Sequence, residues 1–202
     1  FASPFEEATI LVFDGAGEEV STTLGVGSGT RLTVLRSIPW PHSLGHFYST
    51  MTGFLGFTML DGEYKLMGLA PYGAPEHLSF IRSNMLMTDK PGSYRLNPAL
   101  VDYHAALQGH FAPSLRQHFG DPRKDDGAPF THRHQQIASS TQAAFEEVVL
   151  DLAAWAFQEG GHRRNLAIAG GCGLNCAANG RLLRDGPFER IYVPPAPHDA
   201  GC

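Results

Sequence analysis

The sequence predicts an α/β fold, and two patterns lead to this prediction. Near the start, three runs rich in β-branched residues are separated by glycine-containing turns, which is typical of an antiparallel meander. Near the end, a buried strand, a glycine turn, a helix and a further strand follow one another. The first strands are predicted at 9–13, 20–24 and 31–37, with turns at 14–18 and 25–29. The later elements are predicted at 166–169, 170–173, 175–184 and 191–193, an order that favours helices packed on a sheet.

The middle of the chain is predicted to be mainly helical. Apolar residues recur at three- and four-residue steps over 42–57. The same spacing runs from Ile137 to Trp155, with Thr131 before the helix and glycines at 160 and 161 after it. A further helix is predicted over 76–87. The segment 58–75, rich in glycine and proline, is predicted to be a loop.

Composition argues against several classes of protein. With 202 residues, of which 43% are hydrophobic, the chain can fill a packed core. A net charge of −5 gives no strongly basic surface for nucleic acid, and no apolar run approaches the roughly 18 residues of a membrane helix. We therefore expect neither a nucleic-acid nor a membrane partner. Three cysteines, an odd number, do not make a disulfide framework, which indicates a reducing, cytoplasmic protein.

Two glycine-rich turns are candidate anion sites. One is Asp14-Gly15-Ala16-Gly17-Glu18 between the first two strands, and the other is Gly170-Gly171-Cys172-Gly173 between a strand and a helix. Glycine lets backbone N–H groups approach a phosphate closely, and a helix N-terminus adds a partial positive charge. The residues alone leave open an ordinary hairpin turn at the first and close strand–helix packing at the second.

The candidate metal ligands are few. Asp199 follows a proline-rich strand exit and is either a metal ligand or the N-cap of a following helix. His42 and His46 have the i, i+4 spacing of metal-binding histidines on a helix, but no third ligand is evident near them. Cys172 and Cys176 lack C-x-x-C spacing and are predicted to be buried thiols.

Five blocks of sequence, spread in order over nearly the whole chain, resemble one family. They are 3–18 (SPFEEATILVFDGAGE), 41–45 with 55–57 (PHSLG and LGF), 63–73 (EYKLMGLAPYG), 169–179 (AGGCGLNCAAN) and 191–202 (IYVPPAPHDAGC). The block at 63–73 is the most specific. Together they resemble the O-carbamoyltransferases that modify antibiotics and nodulation factors.

The resemblance implies an actin/hexokinase-like (ribonuclease H-like) domain, as in the related enzymes that place threonylcarbamoyl groups on tRNA. Residues 1–202 would be part of the carbamoyl-transferring domain, truncated at both ends. In this family a second domain makes carbamoyl adenylate from carbamoyl phosphate and ATP. The first domain passes the carbamoyl group to a hydroxyl of a small-molecule acceptor, assisted by a bound divalent metal, iron in characterised members.

The resemblance also assigns roles to residues. The residues expected to contact the nucleotide or carbamoyl adenylate are Asp14, Gly15, Ala16, Gly17, Glu18, His42, Gly45, Gly170, Gly171 and Asn175. Asp199 would ligate the metal together with two histidines upstream of Phe1, and the adenylate-forming domain would follow Cys202. The sequence identifies neither the general base nor the acceptor. Two alternatives are an actin-like ATPase or sugar kinase, against which the block at 63–73 argues, and a non-catalytic nucleotide-binding module.

Overall fold

A computed structural model describes residues 3–125 and 127–198. The chain divides into two compact units. Unit 1 contains the described parts of Phe1–Gly45, Thr88–Tyr94 and Glu146–Cys202, and unit 2 contains those of His46–Met87 and Arg95–Phe145. The chain therefore enters unit 1 three times.

The described residues form seven strands and seven α-helices. In chain order these are β1 Glu7–Phe13, β2 Val20–Ser28, β3 Arg31–Pro39, α1 Leu44–Phe54, α2 Glu63–Leu69, α3 Leu78–Asn84, β4 Leu86–Met87, β5 Arg95–Leu96, α4 Tyr103–Leu107, α5 Pro113–Phe119, α6 His132–Glu159, β6 Asn165–Ala169, α7 Cys176–Asp185 and β7 Arg190–Tyr192. Short 3-10 helices lie at Ala70–Tyr72 and Gly171–Leu174.

Unit 1 is built on a five-stranded mixed sheet. Its strand order is β3-β2-β1-β6-β7. The first three strands are antiparallel neighbours, whereas β1 pairs in parallel with β6, and β6 with β7. In the central pair, Thr9 lies opposite Leu166 and Val12 lies opposite Ala169. Leu11 and Phe13, on one face of β1, are fully buried, and Ile10 and Val12 on the other face are half-buried.

Unit 2 consists of helices and the short hairpin β4–β5. Its core is aromatic: the Phe54 ring meets Phe119 edge-on with centroids 5.8 Å apart, and Tyr48 meets Phe145 at 5.2 Å. The Tyr48 hydroxyl donates to Gln142 Oε1 at 2.6 Å, which satisfies a polar pair inside this core.

The structure confirms the predicted meander but changes its second turn. The predicted turn at 25–29 is wrong because β2 continues to Ser28. A side chain on Gly25 would come within 2.7 Å of the Thr33 carbonyl oxygen, and the pairing register shifts between Leu24 and Gly25. These glycines therefore allow close strand contact and a bulge within the sheet, and the chain reverses only at Gly29, with φ +56°.

The predicted loop at 58–75 is also wrong in part, since α2 and the first 3-10 helix lie there. Leu66 and Ala70 are buried, so tertiary packing outweighs the helix-breaking composition. Pro71 lies in the first turn of the 3-10 helix, where a missing N–H removes no hydrogen bond.

The other predicted helices differ from the structure mainly at their ends. The helix expected over 42–57 is α1, which begins at Leu44. The one expected over 76–87 ends at Asn84 before β4. The long helix α6 and the strand–turn–helix–strand order at the end of the chain are confirmed. Of the helices in the described part of the chain, none has both the length and the apolar character needed to cross a bilayer.

We predict that Gly92 is far less tolerant of substitution than Gly29, although both have positive φ, +67° and +56°. A methyl group on Gly92 would collide with the Trp155 ring. The Arg36 guanidinium lies 3.7 Å from the centre of the same ring. By contrast, a Cβ atom on Gly29 would have no neighbour within 4 Å. Gly29→Ala should lower the free energy of unfolding by about 1–2 kcal/mol through backbone strain alone. Gly92→Ala should cost about 1–3 kcal/mol more through overpacking. Urea denaturation of both variants measures the difference, and equal losses would contradict it.

Candidate functional site

The two glycine turns begin at the same edge of the sheet. Because β1 and β6 are parallel neighbours with Val12 opposite Ala169, both strands end at the same level. Asp14 directly follows β1, and Gly170 directly follows β6. This level is the carboxyl edge of the parallel strands. The strand that follows β1 in the chain, β2, lies on one side of the β1–β6 pair, and the strand that follows β6, β7, lies on the other. α/β sheets characteristically bind ligands at such a point.

The first turn is held by its own hydrogen bonds. The Asp14 N–H donates to the Ser21 carbonyl at 2.9 Å, and the Gly17 N–H donates to the Val20 carbonyl at 3.0 Å. The Gly15 N–H donates to the Asp14 carboxylate at 2.7 Å. Within the described residues, the N–H groups of Ala16 and Glu18 have no acceptor, and both residues are exposed. The turn thus leaves two of its amides available to a ligand.

The second turn is a 3-10 helix preceded by a glycine in a special conformation. Gly170 has φ +91°, and a side chain there would collide with the Phe13 carbonyl. Its N–H donates to the Pro197 carbonyl at 2.7 Å and is therefore occupied. Positive φ is required at Gly170 and not at Gly171. The Gly171 N–H has no acceptor among the described residues.

The two turns meet at Gly171. A Cβ atom on Gly171 would lie 3.0 Å from the Asp14 carboxylate oxygen Oδ1 and 3.9 Å from the His198 Cβ. Pro197 also packs on this turn, since its Cβ would lie 3.5 Å from a Cβ on Gly173. The candidate site therefore joins three segments: the hairpin turn, the 3-10 turn and the end of the described chain.

The segment His42–Gly45 supports the first turn. The Ser43 hydroxyl donates to the Asp14 carbonyl at 2.9 Å. A Cβ atom on Gly45 would lie 2.8 Å from the Gly15 backbone nitrogen, so only glycine allows the start of α1 to approach this closely. The backbone of the predicted residues His42 and Gly45 is thus placed beside the hairpin turn.

Tyr94 connects the sheet to this segment and was missed by the sequence analysis. Its hydroxyl lies 2.9 Å from Thr22 Oγ1, donates to the His42 carbonyl at 3.1 Å and accepts from the Leu44 N–H at 3.2 Å. The side chain is buried, and this burial is the main reason that the pKa of Tyr94 rises to about 12. Tyr94 belongs to no motif, and nothing in its local sequence marks it as a neighbour of residues so distant along the chain.

Asn175 has a structural role in this region. Its side-chain oxygen accepts from the Ala178 N–H at 3.0 Å, which caps α7, and the residue is buried. Cys172 and Cys176 are not joined in a disulfide; Cys172 is half-buried and Cys176 is exposed, so the prediction of two buried thiols is wrong for Cys176 and holds only in part for Cys172.

The candidate metal ligands are not brought together in the part of the chain that the structure describes. Asp199 lies outside the described residues. His46 is buried and stacks on Tyr103 at 3.8 Å, whereas His42 precedes α1 and does not lie on it. Over 3–125 and 127–198, no group of three or more His, Cys, Asp or Glu side chains could hold a metal ion.

Comparison with known proteins identifies the family. The family model described as carbamoyltransferase N-terminus matches residues 1–202. The chain belongs to the carbamoyltransferase family. The matching model describes the N-terminal part of the family's proteins, and the matched residues include both glycine turns.

The relatives are longer proteins. An uncharacterized protein of Synechocystis sp. (sll1178) is 46% identical over 201 residues, covering 100% of this chain and 32% of that protein. Nodulation protein NolNO of Sinorhizobium fredii is 39% identical over 201 residues, covering 99% of this chain and 27% of that protein. Nodulation protein NolO of Bradyrhizobium diazoefficiens is 38% identical over 200 residues, covering 99% and 34%. The chain thus spans about a third of the length of these relatives.

We predict that Tyr94→Phe destabilises the protein by about 1–3 kcal/mol, because it leaves the buried Leu44 N–H without its acceptor. The folded-state pKa of Tyr94, about 12, exceeds the ordinary value of 10, so the neutral phenol contributes its full stability below pH 10 and loses it as the pH rises through 12. The gap in unfolding free energy between wild type and variant should therefore shrink over this range. Urea titrations at several pH values measure it. The exposed Tyr64 provides the control, since Tyr64→Phe should have no effect.

Proposed function

We propose that the chain is the domain of an O-carbamoyltransferase that holds carbamoyl adenylate while its carbamoyl group passes to a hydroxyl of a small-molecule acceptor. The main support is the family match over the whole chain, together with the contact between two glycine turns at one sheet edge. Because the relatives are about three times as long, the activity is proposed for the intact protein. We propose a cytoplasmic location, in keeping with the absence of a disulfide between Cys172 and Cys176.

We further propose that unit 1 is an actin/hexokinase-like lobe. Its support is the strand order β3-β2-β1-β6-β7, in which an antiparallel meander continues into parallel strands, and the glycine turn that joins β1 to β2. In this interpretation residues 1–202 are a part of the carbamoyl-transferring domain, and the adenylate-forming domain lies elsewhere in the same protein.

The open amides suggest how the domain would hold the nucleotide. The N–H groups of Ala16, Glu18 and Gly171 are free to donate to phosphate oxygens, whereas those of Gly15, Gly17 and Gly170 are occupied. Transfer of the carbamoyl group leaves AMP, so its phosphate gains negative charge. Backbone donors fixed in advance stabilise such charge without reorganising during the reaction.

The Asp14 carboxylate has a positioning role in this proposal. It accepts from the Gly15 N–H at 2.7 Å and lies beside Gly171, so it fixes the turn at the point where the two segments meet. The acceptor hydroxyl requires a general base, and no residue of the described chain is assigned this role.

A bound metal, iron in characterised members of the family, would act as a Lewis acid in this reaction. The described residues do not by themselves form a metal site, so we derive no step through a metal. We retain Asp199 as a proposed ligand because it directly follows His198, whose Cβ lies near Gly171 beside the Asp14 carboxylate.

The family match also favours this function over the two alternatives. An actin-like ATPase or sugar kinase would share the nucleotide turns, but it would transfer a γ-phosphate and has no reason to match a carbamoyltransferase over its whole length. A non-catalytic nucleotide-binding module would bind AMP but would not transfer a carbamoyl group.

We predict that Gly171→Val in the intact protein weakens AMP binding at least tenfold, or about 1.4 kcal/mol. The new side chain would begin 3.0 Å from the Asp14 carboxylate and would cover the open Gly171 amide. Calorimetry with AMP measures the affinity, and thermal unfolding checks that the fold is kept. Gly68→Val is the matched control, since a Cβ on Gly68 meets nothing within 4 Å. Unchanged affinity for AMP in Gly171→Val would overturn this placement of the phosphate.

We also predict that Asp199→Asn separates the two roles considered for Asp199. Asn and Asp cap helices equally well, so a capping role predicts unchanged stability and activity. A metal ligand predicts a sharp loss of bound metal, because a neutral amide is a much weaker ligand than a carboxylate. Elemental analysis of the intact protein, purified with its metal, is the measurement. Full metal content together with full carbamoyl transfer in the variant would exclude the ligand role.

A further inference from the structure

Two histidines of unit 2 lie in contact, although 41 positions separate them along the chain. His77 directly precedes α3, and His118 lies in the last turn of α5. The His77 Nδ1 atom lies 3.3 Å from the His118 Nε2 atom, so the two nitrogens can share one hydrogen bond. The pair is separate from the two glycine turns, which belong to unit 1.

Aromatic packing fixes the orientation of both rings. The His118 ring stacks on Phe80 with centroids 3.6 Å apart and planes only 8° from parallel. The buried Phe119 ring meets His77 edge-on at 5.1 Å and His118 edge-on at 4.8 Å. The His77 N–H donates to the Ser140 hydroxyl of α6 at 2.9 Å, which anchors the backbone at this residue. A ligand that binds rings held in this way loses little free energy to ordering them.

The spacing of the two rings matches that of two ligands on one zinc ion. Imidazole nitrogens about 2.0–2.1 Å from a tetrahedral Zn²⁺ lie about 3.3–3.4 Å from each other, and the centres of their rings lie about 5.2 Å apart. In this pair the nitrogens are 3.3 Å apart and the ring centroids are 5.2 Å apart. Two rings joined by a straight hydrogen bond of the same length would have centroids about 5.6 Å apart.

The protonation state of the rings also suits a metal. Packing against neighbouring groups removes water from both imidazoles and lowers the pKa of each, and the nearby His118 ring lowers the pKa of His77 further. Both rings are therefore neutral at neutral pH, which is the form that binds metal ions. The charges of Glu76 and Arg133 act on His77 in opposite directions, so they offset each other.

Only one nitrogen of each ring is suited to be the ligand atom. The His77 Nε2 atom is buried and has no hydrogen-bond partner among the described residues, which leaves Nδ1 to meet an ion. His118 is exposed, so its Nδ1 atom can hold the ring proton and donate to water while Nε2 binds. These two ligand atoms are the same two that lie 3.3 Å apart.

From these observations we propose that His77 and His118 bind a zinc ion, which ties the start of α3 to the end of α5. Zinc favours imidazole ligands in a tetrahedral arrangement, and water molecules fill its two remaining positions. The pair is smaller than the groups of three side chains sought above for a catalytic metal. The site goes beyond the proposed function, because it binds its ion whether or not the protein transfers a carbamoyl group.

The ion would stabilise unit 2 by closing a loop of the chain. Without metal, a single hydrogen bond joins the two rings. With His118 as its donor, zinc binding moves the shared proton from Nε2 to Nδ1 of the same ring, and the ion takes the two free lone pairs with no net release of a proton. The ion then holds together residues 41 positions apart, and such a clip restricts the chain most where the closed loop is long.

The first test counts the zinc ions bound by the intact protein, produced without a histidine tag. Equilibrium dialysis against zinc chloride, followed by elemental analysis, should find one zinc ion fewer in His118→Ala than in the wild type. Any zinc at the proposed Asp199 site is the same in both proteins. His110→Ala is the matched control, because His110 is also an exposed histidine of unit 2, and it should bind as much zinc as the wild type.

Thermal unfolding checks that the variant is folded. Should His118→Ala fail to fold, His118→Gln replaces it, since glutamine keeps a polar side chain but lacks the imidazole. Equal zinc content in the wild type and in the folded variant would overturn the proposal.

Hydrogen exchange tests whether the ion joins α3 to α5. At a zinc concentration about ten times the Kd measured by dialysis, amide exchange in both helices should slow about tenfold in the wild type, because each opening must first release the ion. His118→Ala should show no such slowing. Magnesium is the comparison ion, since it prefers oxygen ligands and should have no effect. Equal slowing by zinc in the variant, or equal slowing by magnesium in the wild type, would overturn the proposal.

Discussion

The parallel pairing of β1 with β6 is the constraint on which the candidate site depends. If these strands were antiparallel, Asp14 and Gly170 would lie at opposite edges of the sheet and could not share a ligand. The observed register, with Val12 opposite Ala169, instead ends both strands at one level. From this level β1 leads to β2 and β6 leads to β7, which lie on opposite sides of the β1–β6 pair in the strand order, and α/β sheets characteristically bind ligands at such a point.

Within this candidate site, glycine has two separate uses. Gly45 and Gly170 let neighbouring backbones approach so closely that a side chain would collide, which is a packing requirement. Gly171 leaves its amide open, which is a requirement for binding. In the second turn, Gly170 therefore fits the packing alternative, whereas the open amide of Gly171 is what the proposed anion binding requires. Tyr94 and Ser43 supply the remaining support through hydrogen bonds to the backbone next to these glycines.

The sequence predicted the parts of the fold that depend on local patterns. Alternation and turn residues identified the meander, and the helical stripe identified α6. The helix α2 escaped prediction because the burial of Leu66 outweighs the glycine and proline around it. Motifs identified both glycine turns, but hydrogen bonding decides which amides are open. Gly15 and Gly17 lie in the same turn as Ala16 and Glu18, yet the N–H groups of the two glycines are occupied and those of Ala16 and Glu18 are open.

Tyr94 and Pro197 could not have been predicted because their roles come from contacts across long stretches of chain. Tyr94 bonds to Thr22, 72 positions away, and neither residue belongs to a recognisable motif.

Unit 1 is made of three separate segments of the chain, so its sheet cannot be completed until the last segment has been synthesised. The Thr9 hydroxyl bonds to the Arg163 carbonyl, 154 positions later, at the border of the β1–β6 pair. The meander can pair as soon as residues 7–39 leave the ribosome, but β1, which is its edge strand and the central strand of the complete sheet, then waits for β6 with one side uncovered. Closing so long a loop is slow compared with forming hairpins and helices. During synthesis, β1 therefore presents an open strand edge to other nascent chains, and a chaperone that shields this edge would raise the yield of folded protein.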